Sequence, residues 1–281
     1  MRHLQGGAAL SGNASEPIGV FDSGIGGLTV LQAIRQALPN EDLIYVADTA
    51  HLPYGDKAAA VVRERASRIA AFLHSQSAKA MVIACNTATA QAIDLLRTLR
   101  AAVPIIGVEP GVKPAALATQ SGVAGILVTS ATADSERFAE LLRRHGQGVR
   151  FIVQPCPGLA ETIEQGDLHG AALERMVHER MRPIVAAGAD IIVLGCTHYS
   201  FVLPLIRSAA GENVSIVETG NAVARQLART LGERNLLRQS PHAQRGVVQF
   251  FSSGASAQFQ AALNRLGQIE GVLGSLPTEF V

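Results

Sequence analysis

Two of the chain's three cysteines stand where a thiol can move a proton. Cys85 ends the apolar run Ala80-Met81-Val82-Ile83-Ala84 and is followed by Asn86-Thr87. Cys196 ends Ile191-Ile192-Val193-Leu194-Gly195 and is followed by Thr197-His198-Tyr199. Each reads as a junction between a strand and a helix, a setting that exposes a reactive group and lowers a thiol's pKa. A lone cysteine is usually core, but polar side chains directly after each thiol argue against that here. Two thiols in like settings suggest one proton-transfer chemistry approached from two sides. The third, Cys156, lies between Pro155 and Pro157 and reads as structural.

Other segments offer supporting groups. Asp22-Ser23-Gly24-Ile25-Gly26-Gly27-Leu28 follows an apolar run and precedes a helical pattern. Such a turn frees backbone N–H groups for an anion, so Ser23 and nearby amides are expected to hold a carboxylate, with Asp22 left for acid/base support. The third glycine of a dinucleotide fingerprint would fall at Thr29, and no Gly-Lys-Ser/Thr follows, so neither that motif nor a P-loop is present. Pro53-Tyr54-Gly55 fixes a turn and offers a phenol. Thr87 offers a hydroxyl. Glu161 and Glu164 share one face of a short helix at i, i+3, and one of them can reach a cleft. Cys196-x-His198 can be half a metal site, but ligands at zinc spacing are not found elsewhere. A Cys/His hydrolase is a stronger rival, although it leaves Cys85 idle.

The elements that must position these groups follow from periodicity. Strands are expected at 18–21, 43–47, 81–84, 105–108, 123–128, 151–153, 191–194, 214–217 and 247–251. Amphipathic helical patterns lie between them, among them 29–38, 58–75, 88–99, 135–145 and 169–187. Apolar runs alternating with helices predict an α/β fold with mainly parallel sheets flanked by helices. The chain also reads as weakly duplicated: Gly19-Val20-Phe21-Asp22-Ser23 opens one half and Gly125-Ile126-Leu127-Val128-Thr129-Ser130 the other. Ligands bind outside the carboxyl ends of parallel strands. Two related domains facing each other by those ends would bring Cys85 and Cys196 to one cleft. The expected division is 17–110 plus 219–281 for the first domain and 111–218 for the second, with 1–16 a flexible polar tail.

The 281 residues suit two domains. With 24 Lys plus Arg against 23 Asp plus Glu, net charge is +1, which gives no electrostatic case for nucleic acid or an anionic membrane. No apolar run reaches the roughly 18 residues that span a bilayer, the start is a poor signal peptide, and three unpaired-looking cysteines fit a reducing compartment. A cytoplasmic location is expected.

Taken in order, the motifs resemble those of the cofactor-independent glutamate racemases, within the wider aspartate/glutamate racemase superfamily. They are F-D-S-G-I-G-G-L at 21–28, A-D-T-A-x-x-P-Y-G at 47–55, A-C-N-T-A at 84–88, G-V-E-P-G at 107–111, G-C-T-H-Y at 195–199 and F-x-S-S-G-like residues at 250–254. The resemblance implies two α/β domains related by a pseudo-twofold, with the active site between them. It implies no cofactor and no metal, L- and D-glutamate as small-molecule substrates, and D-glutamate supplied to peptidoglycan synthesis. Cys85 and Cys196 would be the two bases, Asp22 assisting Cys85, and His198 with Glu164 assisting Cys196. Ser23, Pro53, Tyr54, Gly55, Asn86, Thr87, Thr129, Thr132 and Thr197 match substrate-holding positions. A homodimer is expected on the same ground. An aspartate racemase and a non-catalytic amino-acid-binding protein are the alternatives on this scaffold.

Overall fold

The computed structural model describes residues 13–166, 168–239, 245–266 and 269–281. Strands and helices alternate through most of the chain as β1 (Ile18–Asp22), α1 (Leu28–Ala37), β2 (Leu43–Ala47), α2 (Ala59–Ser75), β3 (Ala80–Ile83), α3 (Asn86–Leu99), β4 (Ile105–Gly107) and α4 (Val112–Ala118). They continue as β5 (Val123–Val128), α5 (Ser130–Ala133), α6 (Glu136–His145), β6 (Arg150–Pro155), α7 (Leu159–Gln165), α8 (Ala171–Ala186), β7 (Ile191–Gly195), α9 (Leu203–Ala210) and β8 (Ser215–Val217). The last elements are α10 (Gly220–Glu233), β9 (Val248–Ser252), α11 (Ser256–Leu266) and β10 (Val272–Ser275).

Two all-parallel sheets result. One has the order β10-β9-β2-β1-β3-β4, the other β6-β5-β7-β8. The run β2-β1-β3-β4 of the first repeats as β6-β5-β7-β8 in the second, so the faint duplication in the sequence is a duplication of topology. In both halves a cysteine follows the third strand, Cys85 with only Ala84 between it and the end of β3, and Cys196 immediately after β7. Central strands β1, β2, β3 and most of β5 and β7 are buried throughout. Their continuous apolar runs are what two helical layers require.

The chain passes from the first sheet to the second between Gly107 and Val112, and returns between Val217 and Gly220. Val112 and Ala115 of α4 already belong to the core around β5 and β7, whereas Val223, Ala224 and Leu227 of α10 pack into the core beneath α1. Residues 1–12 of the expected polar tail lie outside the described residues. Residues 13–16 form a turn, with Glu16 N–H donating to Asn13 O, and buried Lys79 donates to Ala14 O while pairing with Glu41. No described helix is long and apolar enough to cross a membrane.

β10 was not expected. It is a short edge strand with only Val272 and Leu273 as apolar residues, and its pairing with β9 rather than its own pattern defines it. Edge strands of this kind are kept short because they carry unpaired backbone groups.

Asp190 fixes the bottom of the second sheet. Its carboxylate accepts from Gln120 N–H (2.7 Å), Ser121 N–H (2.8 Å) and the Thr119 hydroxyl (2.6 Å), joining the turn before β5 to the start of β7. Partial burial works against the charge, but these three donors outweigh it and hold the carboxyl at about 2. A depressed carboxylate contributes stability above its unfolded pKa and loses it as pH falls through the folded one. Asp190→Asn is therefore expected to cost about 1 kcal/mol at neutral pH. In urea titrations the gap from the parent should close as pH falls from about 4 towards about 2.

Candidate active site

Cys85 stands at the top of β3 and caps α3, its sulfur accepting from Ala88 N–H at 3.4 Å. The thiol also donates to Ser23 Oγ at 3.9 Å. Cys196 stands at the top of β7. The α-helix expected directly after it is instead a six-residue 3-10 helix, Thr197–Val202, with α9 beginning only at Leu203. Cys196 makes no capping hydrogen bond; its partner is His198, whose Nδ1 lies 3.8 Å from the sulfur. The tighter 3-10 turn returns His198 towards the thiol it follows by two residues.

Both sulfurs line one cavity of about 10 Å3, together with Asp22, Ser23, Pro53, Tyr54, Gly55, Asn86, Thr87, Thr129, Thr197 and His198. That space holds about a single water, and the cysteines are only 5% and 8% exposed, so the cleft is closed. Ala160 also lines it; an alanine carries no chemical signal in a sequence. Thr132 stands just behind, bonded to Thr129 Oγ1 at 2.9 Å and to Thr87 Oγ1 at 3.3 Å. This hydroxyl cluster joins α3 of the first half to α5 of the second. Asn86 is buried with neither amide atom bonded among the described residues, leaving a donor and an acceptor in the wall of the cleft.

Of the two candidate glutamates, Glu164 reaches the site. Leu159 and Ile163, at i and i+4, bury one face of α7, and Glu164 projects from the edge of that face. Its Oε2 accepts from His198 Nε2 at 2.8 Å and from Ile25 N–H at 3.0 Å. The glycine-rich loop allows this approach. A β-carbon at Gly24 would stand 2.5 Å from Glu164 Oε2, and one at Gly26 would stand 2.4 Å from His198 Nδ1. The loop thus differs from the expected anion cradle: Ile25 N–H is taken by Glu164, and Gly27 N–H donates to Asp22 Oδ2 at 2.6 Å. Gly24 and Gly26 make room for Glu164 and His198 of the second half, while Gly27 packs against Asp22, Tyr45 and Ala84 of its own half. Ser23 still faces the cavity.

Tyr54 lines the cavity as expected of its position, while its phenol donates to Asp48 at 2.5 Å. Arg65 grips the same carboxylate with two bonds, of 2.9 and 3.0 Å, and His51 adds a contact at 3.1 Å. Burial would raise the Asp48 carboxyl; the Arg65 fork and the Tyr54 phenol outweigh it and hold it below its usual range. Sequence reasoning missed Arg65. The signal was available, because a cation interrupts the apolar stripe Val62, Ala66, Ile69, Phe72 of α2, and a buried charge needs a partner. Tyr45, also missed, is wholly buried and donates to Gly24 O at 2.7 Å, holding the loop from below.

The electrostatics of the site are set by burial and by a few close partners. Burial pushes the Cys85 thiol well above its ordinary value, and the Asp22 carboxylate adds to the effect. The lowered pKa expected from the helix N-terminus is therefore not found, since desolvation exceeds the dipole's contribution. Asp22 is itself raised by burial, against the pull of His198 and the Gly27 amide. Burial would lower His198, but its bonds to Cys196 and Glu164 outweigh burial and hold the imidazole well above its ordinary value. Cys156 is apart from this group: it is buried, burial pushes its thiol to about 12, and it donates to Gln154 O at 3.4 Å.

A family model described as Asp/Glu/Hydantoin racemase matches residues 18–227 of the chain. A glutamate racemase of Pseudomonas putida strain F1 is 52% identical over 239 residues, covering 85% of this chain and 89% of its own. One from Pseudomonas paraeruginosa strain PA7 is 47% identical over 262 residues, covering 93% and 98%. Among solved structures, a glutamate racemase isoform, RacE1, from Bacillus anthracis superposes with a TM-score of 0.85 at 28% identity, covering 95% of this chain and 99% of its own. A glutamate racemase from Francisella tularensis in complex with D-glutamate gives 0.82 at 30% identity, covering 94% and 98%.

Proposed function

The chain belongs to the Asp/Glu/hydantoin racemase family, and from that premise we propose that it interconverts L- and D-glutamate by moving the α-proton between Cys85 and Cys196. It is an isomerase, and its D-glutamate enters peptidoglycan synthesis. The observation that carries the two-thiol reading is the single closed cavity lined by both sulfurs, one from each half of the duplicated fold.

The α-proton of an amino acid is weakly acidic, so a protein that removes it must stabilise a carbanion-like species by position and charge. In one direction a thiolate on one face takes the α-proton, breaking C–H and forming S–H. The thiol on the other face gives its proton to the carbon, breaking S–H and forming C–H with inverted configuration. The opposite enantiomer reverses the two roles. Asp22 holds Cys85 in its protonated form through charge. His198, oriented by Glu164, supplies the countercharge for Cys196. Ser23, Asn86, Thr87, Thr129, Thr132 and Thr197, with the Pro53-Tyr54-Gly55 turn, hold the carboxylates and ammonium so that the α-carbon stays between the sulfurs. Tyr54 does so through the turn that Asp48 and Arg65 brace.

A cavity for about one water does not admit glutamate, so the halves must part for entry and close for reaction. The two crossings, at 108–111 and 218–219, are the places where the backbone can flex. Closure then excludes water from the carbanion.

The test is turnover of both glutamate enantiomers followed by optical rotation, with aspartate alongside. One methylene is worth about 1–3 kcal/mol, so kcat/KM for glutamate is expected to exceed that for aspartate by about tenfold or more. Equal or faster turnover of aspartate would assign the chain to that substrate instead.

A further inference from the structure

Glu164 faces two spaces. Inside, its Oε2 meets His198 Nε2 at 2.8 Å. Outside, its side chain lines a groove of about 610 Å3 with Thr49, Leu52, Glu161, Gln258 and Phe259. The Glu164 side chain is 16% exposed against 2% for His198, so this carboxylate is the boundary between the closed cavity and solvent. The atoms Cys196 Sγ, His198 Nδ1, His198 Nε2 and Glu164 Oε2 form a continuous line from the reacting sulfur to that groove, with separations of 3.8 and 2.8 Å. The partners of Cys85 lead inward. They are Ser23 Oγ and the Ala88 amide, with Asp22 behind them bonded to the Gly27 amide, and all four residues are buried.

We propose that Cys196, His198 and Glu164 form a proton conduit between the reaction cavity and bulk water through this groove, serving Cys196 and not Cys85. The proposal rests on the two-thiol reading, because each turnover leaves the substrate's proton on one sulfur and the other sulfur stripped. When Cys196 carries the extra proton, its S–H breaks and the proton passes to Nδ1. The Nε2 proton passes to Glu164 Oε2, and the carboxylic acid releases a proton to water. While both its nitrogens carry protons, His198 is the countercharge for the thiolate; once the proton has left through Glu164, what remains is a thiolate, a neutral imidazole protonated on Nδ1, and a carboxylate, and one proton has gone from sulfur to solvent. Run backwards, the same steps recharge the thiolate. Cys85 resets only when the cleft opens.

Chemical rescue distinguishes the two sides. In Glu164→Ala, kcat is expected to fall by about 10²-fold. Acetate or formate, small enough to occupy the space of the lost carboxylate from the groove, should restore kcat by about tenfold or more with saturation, an effect of general-acid origin. Asp22→Ala should gain less than about twofold from the same acids, because the groove does not lead to it. Glu164→Gln, which fills the space without a titratable group, should be slow and unrescued, and Glu164→Asp should exceed it in kcat at similar KM. If Glu164→Ala does not fold by circular dichroism, the Gln and Asp variants carry the test. Absence of rescue in folded Glu164→Ala, equal rescue of Asp22→Ala, or equal kcat in Gln and Asp variants would overturn the conduit. The unsubstituted protein is assayed in the same series: racemisation there with no rescue sinks the conduit alone, whereas no racemisation there sinks the two-thiol reading and the conduit together.

Discussion

Cys85→Ala and Cys196→Ala are each expected to abolish racemisation while leaving different partial reactions behind. Inversion needs a base on one face of the α-carbon and an acid on the other, so neither thiol can replace its partner. General acid or base catalysis contributes about 10²–10⁴-fold for each group, and the hydroxyls of the cavity wall are far weaker bases than a thiolate. A variant that keeps one thiol can still remove and return a proton on a single face. Cys85→Ala should therefore exchange the α-hydrogen of one glutamate enantiomer with solvent, and Cys196→Ala that of the other, both without change of configuration. Proton NMR in deuterated buffer, with chiral analysis of the recovered amino acid, reads both outcomes. Racemisation retained by either variant would remove that thiol from the reaction. Cys156 serves as the internal control: it is buried and its thiol is held near 12, so Cys156→Ala is expected to leave turnover intact.

Asp22→Asn has the next largest expected effect. The side chain is wholly buried and keeps almost the same shape as an amide, so its loss reports on charge rather than packing. The carboxylate is one of the causes that hold the Cys85 thiol above its ordinary value, after burial itself. It also attracts His198 on the opposite side of the cleft, and Thr197 donates to it at 3.4 Å. Removing the charge weakens the retention of a proton on Cys85 and loosens a link between the halves. A fall of about 10²–10⁴-fold in kcat/KM follows. Because the two enantiomers are of equal free energy, the fall in kcat/KM must be the same in both directions. Only kcat and KM separately are free to diverge, and steady-state kinetics from each enantiomer should show that divergence. A kcat/KM within about threefold of the parent would mean that Asp22 is a scaffold for the Gly27 turn and nothing more.

Much of this arrangement was legible in the residues. The continuous apolar runs at 18–21, 43–47, 81–84, 123–128 and 191–194 mark buried parallel strands because such strands need both faces covered. The cysteines could be placed at strand ends because polar residues follow each of them directly. Their meeting in one cavity could be conjectured from the duplication, which the strand order now repeats strand for strand. What was not legible depends on three-dimensional packing. The pKa of Cys85 is governed by desolvation, which no local motif encodes. The residues alone leave Glu161 and Glu164 open and only the resemblance favours Glu164; the rotation of α7 set by Leu159 and Ile163 is what carries Glu164 to His198. The partner of the Tyr54 phenol is Asp48, itself paired with Arg65 from another helix, and no local motif shows that three-residue contact. A glycine-rich turn suggests an anion cradle, but the smallness of Gly24 and Gly26 serves Glu164 and His198 arriving from the other half.

The most direct test of two thiols acting on one carbon is the isotopic content of both pools at low conversion in deuterium oxide. Starting from protiated L-glutamate, the D-glutamate formed should carry deuterium at the α-carbon from the first turnovers, because its new hydrogen comes from the opposite, solvent-equilibrated sulfur, while the remaining L-glutamate stays protiated. The mirror experiment from D-glutamate should give the mirror result. Product that retains the substrate's own hydrogen would mean that a single group carries the proton from face to face, and would contradict the account.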